Sequence, residues 1–145
     1  MDYYKYPVKL IDNQEGGYIL EFRDLPELNS EIWSMDELEV TAVDALVTML
    51  DLYFEHNKVF PRPSQPQEGE ILISPPLSFI AKMLLLNTMV SDNIRACDLA
   101  KKMKIKRQEV NRILDLRHVT KIDTIQKALQ ALGKDLELQL VESER

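Results

Sequence analysis

The stretch LAKKMKIKRQEVNRI, residues 99–113, decides the architecture of the second half of the chain. Its apolar and small residues form two groups separated by a turn. The first group is Leu99, Ala100 and Met103, and the second group is Val110 and Ile113. Residues three or four apart share one face of a helix, so each group lies on one helical face. The spacing predicts two short helices joined by a tight turn, a helix-turn-helix, with Ile105 filling the angle where they cross.

The polar residues of this stretch have the chemistry that reads duplex DNA, because basic and amide side chains hydrogen-bond to phosphates and base edges. Between residues 95 and 121 there are nine Lys or Arg and three acidic residues, although the whole chain has a net charge of −6. We expect the second helix to enter a major groove. The candidate DNA-binding residues are Lys102, Lys104, Lys106, Arg107, Gln108, Asn111, Arg112 and Lys121.

Roles follow from the side-chain types. Gln108 and Asn111 suit bidentate contacts with adenine, and Arg107 or Arg112 suits guanine or phosphate. We expect Lys102, Lys104 and Lys121 to neutralise phosphates. Lys104 also stands where such turns often have glycine, so its backbone is predicted to be left-handed. The alternative is a solvated helical hairpin whose charges only maintain solubility.

Composition bounds the class of protein. The 145 residues accommodate one medium domain or two small ones. No apolar run is long enough to cross a bilayer, and the N-terminus lacks the pattern of a secretory signal. A single cysteine, Cys97, suits a reducing cytoplasm, and two isolated histidines are poor material for a metal site. We therefore expect a cytoplasmic protein without metal or other cofactor.

The two halves of the chain differ in charge. Residues 1–69 have five basic and fourteen acidic side chains, a balance of −9, whereas residues 70–145 have a balance of +3. The second half can approach a phosphate backbone, which would repel the first half. The acidic half therefore suits a basic protein partner, and we place the boundary between two modules at residues 74 and 75.

The first module alternates with the period of β-strands. Tyr6, Val8 and Leu10 share one side of a first strand, and Pro7 on the other side predicts an edge or near-edge position. The DNQEGG turn, residues 12–17, leads into a second strand at residues 18–22, and both glycines can take positive φ. Residues 30–33 form a predicted third strand.

A helix is predicted from Ser34 to about His56, with Ser34 and Glu37 at capping-box spacing. Three prolines make residues 61–70 a loop or semi-rigid linker. A last short strand is predicted at residues 71–73.

The second module begins with a mostly buried helix at residues 79–90, followed by the helix-turn-helix. Thr120 and Asp123 repeat the capping-box spacing before another helix, which ends at Gly133 with a left-handed cap. Residues 136–140, LELQL, alternate with period two, which suits either an intersubunit strand of a homodimer or a frayed helix end.

The order of these segments resembles the HicB antitoxins of bacterial HicA–HicB toxin–antitoxin pairs. The likeness is carried by YPVKLID, EGGYILEF, DLPEL, the helix from Met35, SPPLSFIAKMLLLN and VTKIDTIQKALQALG. It covers nearly the whole chain, and the order of the segments is more specific than any one of them. ELNSEIWS, residues 27–34, departs from the family, which tends to have a glycine-containing turn there.

The resemblance implies an α+β fold: a partial ribonuclease H-like βββαβ domain at residues 1–74 and an all-α, phage-repressor-like helix-turn-helix domain at residues 75–145. The first domain would bind a small basic HicA toxin, which cleaves mRNA, and would lack catalysis. The second would bind double-stranded operator DNA as a homodimer or higher oligomer and repress its own operon. Candidate toxin-binding residues are Glu15, Asp24 and Glu27.

Two other functions are compatible with the sequence. A metal-dependent nuclease would need several converging carboxylates, for which the candidates are Asp12, Glu21, Asp24 and Asp44. A ligand-sensing repressor would use aromatic residues to line a pocket. The candidates are Tyr3, Tyr4, Tyr6, Tyr18 and Trp33. No nucleophile motif or phosphate-binding glycine loop is present, so we predict no catalysis.

Overall fold

A computed structural model describes residues 4–143, which form a four-stranded antiparallel sheet and five α-helices. The strands are β1 (Tyr6–Asp12), β2 (Tyr18–Phe22), β3 (Ser30–Ile32) and β4 (Glu70–Ile73). The helices are α1 (Leu38–Glu55), α2 (Leu77–Ser91), α3 (Ala96–Met103), α4 (Arg107–Leu114) and α5 (Ile122–Ala131). The predicted α+β class and the order of the strands and helices are confirmed.

The sheet has the order β3-β2-β1-β4, so β1 is an inner strand beside the edge strand β4. Of the two positions predicted from Pro7, the edge is therefore wrong and the near-edge position is right. Pro7 pairs with Leu72 of β4, while the pairing of β1 with β2 begins only at Val8. Proline is tolerated because the ladder with β2 has not yet started at this residue.

The β1–β2 turn is closed by side-chain caps, since Asn13 Oδ1 accepts hydrogen bonds from Glu15 N at 2.8 Å and from Gly17 N at 2.9 Å. Of the two glycines that can take positive φ, Gly16 does so, at +95°, and Gly17 does not. Gly17 is needed for space, because a Cβ there would lie 2.4 Å from the carbonyl oxygen of Ile32.

Helix α1 packs on one face of the sheet through its buried stripe of Ala42, Leu46 and Met49. Its predicted capping box is wrong in detail. Ser34 accepts a hydrogen bond from Asp36 N at 3.3 Å and begins a 3₁₀ turn, Met35–Glu37, before the α-helix starts. The Glu37 carboxylate accepts from Trp33 N rather than from Ser34 N.

The proline-rich segment at residues 61–70 is a docked loop and does not act as a linker. Tyr6 Oη donates to the carbonyl of Pro61 at 2.8 Å, and Ser64 N donates to Asp24 Oδ2 at 2.9 Å. Phe60, the residue just before this loop, is held by Asn87 of α2. The Asn87 side-chain amide accepts a hydrogen bond from Phe60 N at 2.8 Å and donates one to the Phe60 carbonyl at 3.1 Å. The loop ties the sheet to α2.

Helix α2 contributes to two hydrophobic cores: the first core lies between the sheet and α1, and the second core lies among α3, α4 and α5. Phe79, Ile80, Met83 and Leu86 pack with the sheet and α1, whereas Ala81, Leu85 and Met89 pack with α3, α4 and α5. These two sets lie on different faces, which explains why the segment is apolar nearly all round.

The C-terminal part of the chain departs from two predictions. The helix α5 has no side-chain cap, because Thr120 Oγ1 faces the carbonyl of Arg112 at 3.5 Å instead of forming a box with Asp123. Gly133, at φ +80°, ends α5 as predicted. Within the described residues, 134–143 form neither strand nor helix, so the frayed-helix alternative is wrong and an intersubunit strand stays a prediction. Leu136 is half-buried against the second core.

Candidate nucleic-acid interface

The site is built on α3 and α4, which are joined by a turn at Lys104. Lys104 has φ 58° and ψ 43°, the predicted left-handed backbone. Ile105 N donates to the carbonyl of Ala100 at 3.1 Å, and Lys104 N donates to the carbonyl of Lys101 at 3.3 Å. The turn therefore satisfies carbonyls that are left free at the end of α3. A non-glycine residue in this conformation costs about 1 kcal/mol.

One face of each short helix is buried, as the spacing predicts. Leu99 and Val110 are fully buried, Ala100 and Ile113 nearly so, and Ile105 packs half-buried at the turn. The partners are α2 and α5, through residues such as Leu85 and Ile125. Burial on both neighbours fixes the orientation of α4 relative to the rest of the second core.

All eight candidate DNA-binding side chains are exposed. Gln108 and Asn111, three residues apart, lie on the exposed side of α4. Arg107 Nε donates to Asn111 Oδ1 at 3.2 Å. A carbonyl oxygen has two lone pairs, so Asn111 keeps one acceptor site and both amide donors for a base. The arrangement presents hydrogen-bonding groups and positive charge on one surface.

Two cations of the basic stretch are occupied by acidic partners. Arg117 Nη1 lies 2.6 Å from Asp51 Oδ2 of α1, and Arg95 Nε lies 3.2 Å from Asp98 Oδ2. The Asp98 carboxylate also accepts the Arg95 backbone N–H at 2.9 Å, and these bonds lower its pKa. The three-residue spacing of Arg95 and Asp98 could have revealed their ion pair from the sequence. The pair of Arg117 with Asp51 joins distant parts of the chain, and nothing in the local sequence indicates it.

Lys82 is the buried charged residue that sequence reasoning missed, with 2% of its surface exposed. Its Nζ donates to the carbonyl of Asp115 at 2.6 Å and to that of His118 at 2.7 Å. Asp115 caps the C-terminus of α4, so Lys82 ties α2 to the C-terminal end of α4. Burial lowers the pKa of Lys82, and the nearby Asp115 charge partly opposes the shift.

The three candidate toxin-binding carboxylates have different environments. Asp24 accepts hydrogen bonds from Ser64, and Glu27 accepts one from Tyr53 Oη. That bond lowers the pKa of Glu27, while burial and Glu27 together raise the pKa of Tyr53 to about 12. Glu15 is exposed in the β1–β2 turn. Asp24 and Glu27 therefore have partners within the first module, and contact of any of the three carboxylates with a toxin stays a prediction.

The residues proposed for the alternative functions do not come together. Among residues 4–143, no three His, Cys, Asp or Glu side chains are grouped so that they could hold a metal ion. Of the aromatic residues, Tyr3 lies outside the described range. Tyr6 is buried against α2, whereas Trp33 is 53% exposed, so they do not line a common pocket.

The fold and the site define an α+β protein that joins an acidic sheet module to a helical module with an exposed basic surface. A family model described as HicB_like antitoxin of bacterial toxin-antitoxin system matches residues 5–84. The chain belongs to this family of antitoxins.

Curated proteins named as HicB antitoxins are similar to this chain along almost its whole length. Antitoxin HicB of Escherichia coli (strain K12) is 41% identical over 137 residues, 94% of this chain and 99% of that protein. Antitoxin HicB 1 of Photorhabdus laumondii is 40% identical over 136 residues, 94% of this chain and 86% of that protein. Antitoxin HicB of Pseudomonas fluorescens is 27% identical over 125 residues. In the part of the chain that the structure describes, no helix is long and apolar enough to cross a membrane.

Proposed function

We propose that the chain neutralises a small mRNA-cleaving HicA-type toxin and represses its own operon by binding operator DNA. Residues 1–74, with a partial ribonuclease H-like fold, bind the toxin. Residues 75–145, a phage-repressor-like helix-turn-helix domain, bind duplex DNA in the cytoplasm of a bacterium, as a homodimer or higher oligomer. Membership of the antitoxin family supports the first role.

The DNA-binding role is carried by one observation: α4 buries Val110 and Ile113 while Gln108 and Asn111 remain exposed beside Arg107. An amphipathic helix with amide and guanidinium groups on its exposed side has the donors and acceptors needed in a major groove. Charge alone would support only binding that ignores sequence.

A mobility-shift assay with the DNA upstream of the chain's own gene tests this role. We expect tighter binding to that DNA than to random duplex of the same length, by about 10³-fold or more at physiological salt. Equal affinity for both duplexes would leave only non-specific attraction and refute repression by this site.

Toxin neutralisation is tested separately by co-expressing the chain with the small basic protein encoded beside it. The two proteins should co-purify, and mRNA cleavage by the partner should stop in the complex. A partner that cleaves mRNA equally fast with and without a molar excess of this chain would refute the antitoxin role.

A further inference from the structure

The sheet has one covered and one open face. Its inner face, with Val8, Leu20 and Ile32, packs against α1. On the outer face, the docked loop covers one end, where Arg23 Nη2 donates to the carbonyl of Gln65 at 2.5 Å and pairs with Glu70. The other end, next to the β1–β2 turn, consists of exposed side chains.

Strand register brings apolar and acidic groups together at this open end. Ile11 of β1 lies opposite Ile19 of β2, and Ile19 lies opposite Glu31 of β3. One step further along the same face, Glu21 of β2 lies opposite Lys9 of β1. Ile11 and Ile19 are 36% and 38% exposed although they are neighbours on the same face.

Trp33 extends the apolar strip. A Cβ on Gly17 would lie 2.9 Å from Trp33 Cε3, so the indole packs directly on the backbone of Gly17 and is held at the surface with 53% exposure. Tryptophan immobilised in this way needs little further ordering when a partner binds, and it is enriched among the residues that dominate interfaces.

We propose that this outer patch, defined by Ile11, Ile19, Glu21, Glu31 and Trp33, is the surface on which the toxin docks. The inference rests on the proposed antitoxin function and specifies its site. An apolar centre with a charged rim is the usual anatomy of a protein interface.

The charges of the patch select a basic protein as the occupant. Lys9 lies opposite Glu21 and offsets its charge, and Glu70 pairs with Arg23. The net negative charge of the patch therefore comes from the exposed Glu31 and from Glu15 in the adjacent turn. Nucleic acid would be repelled by these carboxylates. A second copy of this chain, seated on the same patch by two-fold symmetry, would bring like charges together.

The central test is Ile19→Arg, which puts a cation in the middle of the patch. The matched control is Leu52→Arg on the exposed side of α1, since Leu52 is 42% exposed and Ile19 is 38% exposed. We expect Ile19→Arg to weaken toxin affinity by at least about 30-fold, as for a residue central to an interface, and Leu52→Arg to change it less than about 3-fold. Toxin affinity is measured by titration calorimetry, and the midpoint of thermal unfolding is measured for the same preparations to show that each variant is folded.

The outcomes separate the surface from the function. Toxin binding that survives Ile19→Arg, or that is lost equally in Leu52→Arg, overturns the patch while leaving the antitoxin role intact. Failure of the unmodified chain to bind or inhibit the toxin overturns the proposed function itself.

A second measurement needs no change at the centre of the patch. Trp33 is the single tryptophan of the chain, so 5-fluorotryptophan labelling of this chain alone gives one ¹⁹F resonance. Adding unlabelled toxin should shift that resonance and protect it from an aqueous paramagnetic quencher. An unchanged, equally accessible resonance in the saturated complex would refute the proposal, even if Ile19→Arg proved unable to fold.

Discussion

Replacing Lys82 with methionine removes the donors that hold the end of α4 while keeping a side chain of similar length. In the wild type, Nζ lies 2.6 Å and 2.7 Å from the carbonyl oxygens of Asp115 and His118. The carbonyl of Asp115 keeps a second donor, His118 N at 3.1 Å, so the loss falls on the carbonyl of His118. A carbonyl left without its donor costs roughly 1–3 kcal/mol. The methionine avoids the desolvation of a buried ammonium, which offsets part of that loss. We expect a net decrease of about 1 kcal/mol in the free energy of unfolding, which corresponds to roughly 3 °C in Tm for a chain of this size.

The stability difference between the wild type and Lys82→Met should also change with pH in a definite direction. Burial lowers the pKa of Lys82 in the folded chain below its unfolded value of 10.5. Between the two values the unfolded chain binds more protons, so the contribution of Lys82 to stability rises with pH until the unfolded lysine is neutral. The wild type should therefore gain stability relative to Lys82→Met between pH 7 and pH 10.5. Raised pKa values at Tyr6 and Tyr53 act in the opposite direction, but they cancel in this difference.

Urea denaturation of both proteins across this pH range measures the difference directly. Lys101→Met, at an exposed position of α3, is the control and should change stability by less than about 0.5 kcal/mol. A Lys82→Met protein as stable as the wild type at pH 7, or a stability difference that shrinks toward pH 10.5, would refute the role assigned to Lys82.

Further predictions concern DNA, assembly and folding. Gln108→Ala should reduce discrimination between operator and random DNA by roughly 1–3 kcal/mol, and equal losses on both duplexes would contradict its role. Lys104→Ala should weaken binding to all duplexes alike and reduce the logarithmic salt slope by about 1, measured by titration at several salt concentrations. If residues 136–140 pair two copies, truncation after Gly133 should give monomers in sedimentation, and an unchanged dimer would remove that idea. A fragment of residues 75–145 should unfold or aggregate, because it exposes the α2 side chains that face the sheet; a cooperative thermal transition like that of the whole chain would contradict this.

The sequence predicts the elements of this fold well because their signals are local. Alternation places Tyr6 and Val8 on the buried face of β1, and helical spacing places Val110 and Ile113 in the second core. The left-handed Lys104 also follows from local spacing, since the turn is bounded by two amphipathic helices. The eight candidate DNA-binding residues are exposed, as a DNA surface requires, although their contacts with DNA stay a prediction.

Long-range contacts account for what the sequence does not predict. The inner position of β1 depends on β4, which pairs with it from more than sixty residues away in the chain, as in the contact of Lys9 with Glu70. The docking of the proline-rich loop depends on Asp24 meeting Ser64. Lys82 looks like any helical lysine in the sequence, because its two acceptors are backbone carbonyls and leave no mark on residue type.

The two modules differ in charge and in chemistry, but α2 makes them one mechanical unit. Met83 on one side of α2 touches Tyr6 of the sheet, with the tyrosine Oη 3.3 Å from the methionine sulfur, while Leu85 packs in the core that supports α4. Lys82, next to Met83 in the same helix, holds the C-terminal end of α4. Arg117, which follows α4, pairs with Asp51 of α1. Because a close-packed interior transmits displacement, the orientation of the exposed side of α4 is set partly by the sheet module. The boundary between residues 74 and 75 therefore separates two surfaces of different charge and does not separate two independent cores.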